Sequence, residues 1–387
     1  MDIAMTVTER PAATEALDKH HILALLPGMK PDHWQVVLDQ LDDPMQLLQL
    51  PPSSLKALSV SAGARRLIGD WQCGRMDLQW QQRLEQVRQN CRSRNIQVVD
   101  WCHPHYPESL RHIHGPPPVL YLRGNLDALR RPCLAMVGSR HASRDGLNHA
   151  TGFARALAEQ GIAVVSGLAL GIDGAAHRGA LNAGGLTVGV LANGVDTPYP
   201  RQHQALADQI LDDGALVSEL PPGTPARPHL FPQRNRIISG LCRGVLVVEA
   251  GVRSGSLITA RLAMEQGREV FAIPGSIHNP GVRGCHRLIR AGAVLVETLE
   301  DVVTELADWG LEAVEMGSQA TPPGPDPETL EPSARRLLDV LTYEPQSSDQ
   351  LCEGTGLAAA ELLQTLLTLE MEGFAEATPG GYRKRTG

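Results

Sequence analysis

Aromatic side chains make up only 4% of the 387 residues, so the core must be built mainly from Ala, Val, Leu and Ile. Lysine is nearly missing. Four residues (Lys19, Lys30, Lys56, Lys384) stand against 31 arginines, and the stretch 131–310 has none. Arginine presents a planar forked donor suited to phosphate, although a genome-wide bias explains the composition better. Positive charge in bulk is also absent. The formal net charge is −8, and 131–310 holds 16 Arg against 16 Asp plus Glu. This excludes coating a nucleic acid by bulk attraction and leaves room for a local basic site. Seven scattered cysteines form no C-x-x-C pair, which argues against a zinc ribbon or a disulfide framework. The run C-H-P-H (Cys102, His103, His105) reads as a Pro-punctuated loop rather than a metal site. No stretch approaches the ~20 apolar residues of a membrane span. Residues 1–9 lack the basic start and apolar run of a signal peptide, so a cytoplasmic protein without membrane association is expected.

Residues 1–18 read as a flexible tail. From 19 to 110 short helical patterns punctuated by Pro and Gly predict a small all-α domain, with a longer amphipathic helix over 76–92. The L-P-G at 26–28 fits a helix–hairpin–helix turn or a plain connection between helices. Beyond 115 the pattern changes. Short apolar runs such as CLAMVG, GIAVVSG, GVLVVEA and EVFAIPG alternate with helical stretches up to about 310. Such alternation predicts an α/β domain: a Rossmann-like, doubly wound, mostly parallel sheet. A Pro-rich acidic linker follows at 311–333. Three helical patterns and a hairpin around Pro379 then outline a winged-helix-like domain at 334–387. Its recognition-helix region, 357–372, carries three Glu and no Arg or Lys, which disfavours a phosphate contact and favours a protein contact or a regulatory role.

In a doubly wound sheet the ligand sits beyond the carboxyl ends of the strands. V-G-S-R-H-A-S at 137–143 offers Gly138 for close approach, the hydroxyls of Ser139 and Ser143, a helix N-terminus, and Arg140 for a forked phosphate contact. S-G-L-A-L-G-I-D-G-A-A-H at 166–177 does not spell a dinucleotide fingerprint. Asp173 is expected to cap the following helix and His177 to be structural. F-P-Q-R-N-R at 231–236 groups Arg234, Asn235 and Arg236 on a core-anchored turn. Ser254, Gly255 and Ser256 open a helix directly after a strand, another anion cradle. G-x-S-x-G and the G-x-x-x-x-G-K-S/T loop are missing, and no carboxylate pair or metal cluster stands out. Binding is favoured over catalysis, with neither cofactor nor metal.

Six ordered strings, V-G-S-R-x-x-S, S-G-L-A-x-G-I-D-x-x-A-H, L-A-N-G-V-D-x-x-Y-P, F-P-x-R-N-R-I-I-S-G-L, V-V-E-A-x-x-x-S-G-S-L-I-T-A and G-R-E-V-F-A-I-P-G-S, resemble the DprA (Smf) family of DNA-processing proteins. The likeness is dense over 115–300. It implies a non-enzymatic protein that binds and protects single-stranded DNA during natural transformation, helps load the RecA recombinase, and forms a homodimer through the Rossmann-like domain. It places Gly138, Ser139 and Arg140 on phosphate. Ser166, Gly167, Gly171 and the cluster Arg234, Asn235 and Arg236 would surround the same pocket, with Ser254, Gly255 and Ser256 as its far wall. Few aromatics are available for stacking, so little base readout is expected. His203 and His286 stand where the family often has Asn. Two other readings remain. One is a Rossmann-like nucleotide hydrolase using Glu249 as acid, against which the pattern P-G-G-x-G-T is missing. The other is a duplex-DNA regulator acting through the winged helix, against which its recognition helix is acidic.

Overall fold

A computed structural model describes residues 12–306, 330–378 and 380–385, with side chains from residue 19 onward. The chain divides into two compact units, 1–310 and 311–387. Residues 1–11 of the expected tail, most of the expected linker, and Pro379 of the expected hairpin turn lie outside the described residues. The first helix, Ala12–Leu25, starts inside the stretch read as a tail.

The first unit is built on a nine-stranded sheet: β1 (Ile96–Asp100), β2 (Val119–Gly124), β3 (Cys133–Val137), β4 (Ala163–Ser166), β5 (Thr187–Val190), β6 (Ala215–Ser218), β7 (Gly244–Val247), β8 (Glu269–Ala272) and β9 (Val294–Leu295). Their order is β1-β2-β6-β5-β4-β3-β7-β8-β9. Strands β3 to β9 pair in parallel, while β2 joins β6 antiparallel and β1 joins β2 antiparallel. The order runs outward from β3 in one direction and then restarts from β3 with β7, so the switch point lies between β3 and β7. The expected doubly wound sheet is present. The two antiparallel strands at its edge are additions, drawn from chain read as helical or left unassigned.

Alternation along the strands supplies two faces. Ala135, Val137, Val165, Val190, Val217, Val245, Val247 and Ala272 face one core, with Ile237, Ile238 and Leu241 of the helix Leu230–Leu241 and Ala260 and Ala263 of Ser256–Glu265. Tyr121, Leu191, Leu206, Ile210 and Leu216 belong to a second core, which they share with Ile22, Leu23, Leu47, Leu55, Leu67, Ile68, Leu84 and Val87. The N-terminal helices therefore share a continuous apolar cluster with one face of the sheet. Each such side chain contributes about 1.5–3 kcal/mol by leaving water, so the helices and the sheet stabilise each other. The long helix Leu78–Ser93 starts where Asp77 accepts the Trp80 N–H at 2.9 Å.

Two buried histidines tie the layers together and give the unit a pH dependence. His21 pairs its Nδ1 with the Tyr121 hydroxyl at 3.1 Å, and burial with nearby His20 and Arg88 pulls its pKa down to about 4. His177 pairs its Nδ1 with Thr187 Oγ1 at 2.7 Å, and that hydroxyl donates to the Val164 carbonyl at 2.7 Å. Burial, followed by His203 and neighbouring arginines, holds the His177 pKa near 3. Both imidazoles titrate near 6.5 when unfolded, so the unfolded chain takes up their protons first. The sign follows: their contribution to stability is complete above pH 6.5 and is lost as pH falls towards 4 and 3. Each adds up to about 1.4 kcal/mol per pH unit across that window. Urea unfolding at pH 5 is expected to show about 2–4 kcal/mol less stability than at pH 7. His177→Gln should roughly halve the slope, and equal slopes would contradict this account.

The second unit contains helices Pro332–Val340, Ser348–Thr355 and Ala359–Met371 and the hairpin Ala375–Thr378 with Gly381–Lys384, a winged-helix arrangement. Leu337, Leu351, Leu362, Leu366 and Leu369 fill its core. No helix among the described residues is long and apolar enough to cross a membrane.

Candidate functional site

A cleft of about 730 Å³ opens at the switch point. Three loops converge on it because β3, β4 and β7 are neighbours and all end there. After β3, the Ser139 N–H donates to the Glu249 carbonyl at 2.7 Å, while the Ser139 carbonyl accepts from Ile172 N–H at 3.1 Å. The loops after β3, β4 and β7 are thus sewn together by backbone. A Cβ at Gly138 would lie 2.5 Å from Ile172 Cγ1 and 2.9 Å from the Glu249 carbonyl oxygen, so this close approach needs glycine.

Of the thirteen residues singled out in the sequence, eight line the cleft: Gly138, Ser139, Arg140, Arg234, Asn235, Ser254, Gly255 and Ser256. Arg140 is exposed, its guanidinium carbon 5.4 Å from the centre of the Phe231 ring. Arg234 is buried at the cleft wall and donates from Nη1 to the Val190 carbonyl at 2.7 Å. Burial lowers its pKa to about 10, offset by Asp173, so it stays charged at neutral pH. Ser254 and Ser256 join their hydroxyls at 2.7 Å where the helix Ser256–Glu265 begins, and Thr259 of its first turn also faces the cleft. The N–H groups of that turn are already engaged: Ser256 N–H with Ser254 Oγ at 3.4 Å, Leu257 N–H with the Ser254 carbonyl at 3.2 Å and Ile258 N–H with the Gly255 carbonyl at 3.1 Å.

Five of the thirteen do other work. The Ser143 hydroxyl donates to Glu249 Oε2 at 2.5 Å and accepts from Gly146 N–H at 3.0 Å, capping the helix Arg144–Glu159. Ser166 is fully buried and donates to the Met136 carbonyl at 2.6 Å. Gly167 makes room for the Arg234 guanidinium, which a Cβ there would overlap. Gly171 adopts φ +76° where the chain passes the Ser139 carbonyl. Arg236 is not among the residues that line the cleft. It is buried away from the cleft and ion-paired with Glu219. The segment read as a turn is the helix Leu230–Leu241, and residues two apart on a helix point about 200° apart. Arg234 therefore faces the cleft and Arg236 the opposite side.

Asp173 also departs from its expected role as helix cap. Gly171 occupies that position. The Asp173 carboxylate instead accepts the N–H groups of Gly167 at 3.1 Å and Ala169 at 3.3 Å. Its pKa is raised by burial, against the pull of Arg234 and the two backbone bonds. His203 is buried, with Nδ1 2.9 Å from the Leu168 carbonyl, while half-buried His286 pairs Nε2 with the Gly275 carbonyl at 2.9 Å. Among the described residues no group of three or more His, Cys, Asp or Glu could hold a metal ion.

Among the lining residues outside that set, the aromatic and cationic ones are Tyr199, Phe231 and Arg253. Tyr199 is half exposed, and its ring lies 5.9 Å from that of Phe231 at 60°. Two of the chain's nine Tyr and Phe rings thus stand at one cleft. The signal was present in the strings D-T-P-Y-P and F-P-Q-R, where each ring adjoins a proline.

The fold and cleft define a doubly wound α/β protein whose switch-point site joins arginine, hydroxyl and aromatic side chains. The chain belongs to the DNA recombination-mediator protein A family, whose model matches residues 97–307. A DprA winged helix domain model matches 321–381. Protein Smf of Escherichia coli is 45% identical over 278 residues, covering 72% of this chain and 74% of that protein. DNA processing protein DprA of Streptococcus pneumoniae is 47% identical over 211 residues, covering 54% and 73%. The X-ray structure of the S. pneumoniae protein matches with a TM-score of 0.65 and 37% identity over 74% of this chain and 97% of that one. DNA processing protein A from Helicobacter pylori, studied for its unique single-stranded DNA binding mode, matches with a TM-score of 0.50 and 26% identity over 55% and 96%.

Proposed function

We propose that the cleft grips the sugar–phosphate backbone of single-stranded DNA, and that the protein protects the strand and passes it to the RecA recombinase without catalysing a reaction. One observation carries the reading: Arg140, Arg234 and Arg253 converge with the hydroxyls of Ser254 and Ser256 on one cleft, in a chain of net charge −8. Concentrating cations at one place lets an acidic protein select a polyanion. Membership of the family and the single-stranded DNA binding of the H. pylori relative support it. Ser139, Ser254, Gly255 and Ser256 supply hydroxyl and backbone donors, while Tyr199 and Phe231 offer faces on which a base can stack. Gly138, Gly167 and Gly171 set the distances, and Ser143 and Ser166 hold the loops. A homodimer formed through the Rossmann-like unit, in the cytoplasm, would set two clefts on one strand and raise avidity.

The hydrolase reading needs a free carboxylic acid in the cleft. Asp173, which lines the cleft, is tied to the Gly167 and Ala169 N–H groups, and Glu249 is buried and absent from the lining, its two oxygens accepting the Ser143 N–H, each at 3.1 Å. The duplex reading needs cations on the recognition helix. Helix Ala359–Met371 instead exposes Leu363, Leu367 and Met371, which suits a protein contact. A competition assay tests the proposal. Unlabelled single strands should displace a labelled single strand, while equal masses of duplex or nucleoside monophosphate should not, and monophosphates should remain uncleaved. Displacement by monophosphate with release of free base would overturn the proposal in favour of a hydrolase.

A further inference from the structure

A second groove lies beside the cleft, about 930 Å³ in volume, between the helix Leu78–Ser93 and the segment 223–230. Fourteen residues line it, and none is Asp or Glu, in a chain with 43 of them. Its cationic and aromatic members are Arg83, Arg227, His229 and Trp80, and glutamines such as Gln79 and Gln86 fill the rest of that wall. Arg83 is held in place, donating to Gln86 Oε1 at 3.0 Å and to Thr224 Oγ1 at 3.3 Å. Arg227 and His229 are exposed. The connection Pro27-Gly28, in which Gly28 takes φ +71°, forms part of the rim.

The two grooves share one wall. Pro228 and Phe231 line the cleft, whereas Arg227, His229 and Leu230 line the groove. A chain leaving the cleft past Phe231 therefore meets Arg227 and His229 next. We infer that this groove is a second subsite for the same single strand, which continues from the switch-point cleft across residues 227–231 to Arg83 and Trp80. The inference rests on the reading of the cleft given above. Arginine and histidine would meet phosphates, Trp80 would offer a stacking face, and the glutamines would bond to base edges or sugars without adding charge. A carboxylate-free wall beside a polyanion site avoids the like-charge repulsion that a random acidic surface would impose. An acidic peptide is the other occupant such a wall admits. It would not require continuity with the cleft, and continuity is what the shared segment provides.

The test uses the full chain and two labelled oligothymidylates, one of about 6 nucleotides to fill the cleft and one of about 20 to reach both subsites. Arg227→Glu and Gln79→Glu each alter an exposed side chain outside the cleft. Each should weaken binding of the long strand about five- to tenfold and change binding of the short strand less than about twofold. For Arg227→Glu, the salt slope on the long strand should fall by roughly 0.7. If the wild type binds the short strand and both variants match it on both lengths, the second subsite is wrong and an acidic peptide becomes the candidate occupant. If the wild type fails to bind the short strand, the reading of the cleft is wrong and the extension falls with it. Equal losses on both lengths would also overturn the inference, because the groove would then not be separable from the cleft.

Discussion

Gly171→Ala is expected to lower stability by about 2–5 kcal/mol and to abolish tight binding of single strands. Gly171 sits at φ +76°, ψ −126°, a region that side chains with a Cβ avoid. A Cβ there would overlap the Ser139 carbonyl oxygen and lie 2.8 Å from that of Arg140. These atoms cannot move aside cheaply, because Ser139 is bonded through its carbonyl to Ile172 N–H and through its N–H to the Glu249 carbonyl. The strain would therefore pass into the loop that presents Arg140. Gly184→Ala is the control. That glycine also has a positive φ, +68°, but nothing lies within 4 Å of the added methyl. It should cost only about 1–2 kcal/mol and leave DNA binding intact. Thermal unfolding of the two variants reads the difference, and equal melting temperatures would contradict the packing argument.

Arg140→Ala is expected to weaken single-strand binding roughly 10- to 100-fold, equally for all sequences, with the fold unchanged. The side chain is exposed, so its loss leaves no buried partner behind. It carries one of three guanidinium groups on the cleft and packs over Phe231, so the variant loses both a phosphate contact and the ordering of that ring. The salt slope should become shallower by roughly 0.7–1. Arg236→Met behaves in the opposite way. It strips the partner from Glu219 outside the cleft lining, so it should lower stability and leave the affinity of the folded protein unchanged. Affinity losses of equal size in the two variants would mean that the helix Leu230–Leu241 has been read the wrong way round.

The contrast between Arg234 and Arg236 also marks where sequence reading stops. Buried parallel strands are legible because they need unbroken apolar runs, and runs such as CLAMVG and GVLVVEA correspond to β3 and β7. The loops that follow them are legible as ligand loops because topology puts strand ends together. Which side of a helix a residue takes is a matter of phase. The helix Leu230–Leu241 was hidden by Pro232 and the compact cluster of charges, so Arg234, Asn235 and Arg236 looked equivalent. Strands β1 and β2 were hidden for a different reason. IQVVD is interrupted by Gln97, β1 mixes buried with half-buried positions at the sheet edge, and VLYLRG ends on Arg123 and Gly124. The N-terminal helices looked like a separate domain because their own periodicity is sound. The buried cluster that joins Leu67, Leu84 and Val87 to Tyr121 and Leu216 is not legible in that periodicity.

The central claim is that three arginines on the cleft hold the backbone of a single strand. Fluorescence anisotropy with a short single strand and its duplex, across a salt series, measures this most directly. The account predicts at least about tenfold preference for the single strand, and a slope of log affinity against log salt of roughly −2, the value for three neutralised phosphates on a single strand. Equal affinity for duplex, or binding that does not respond to salt, would contradict it.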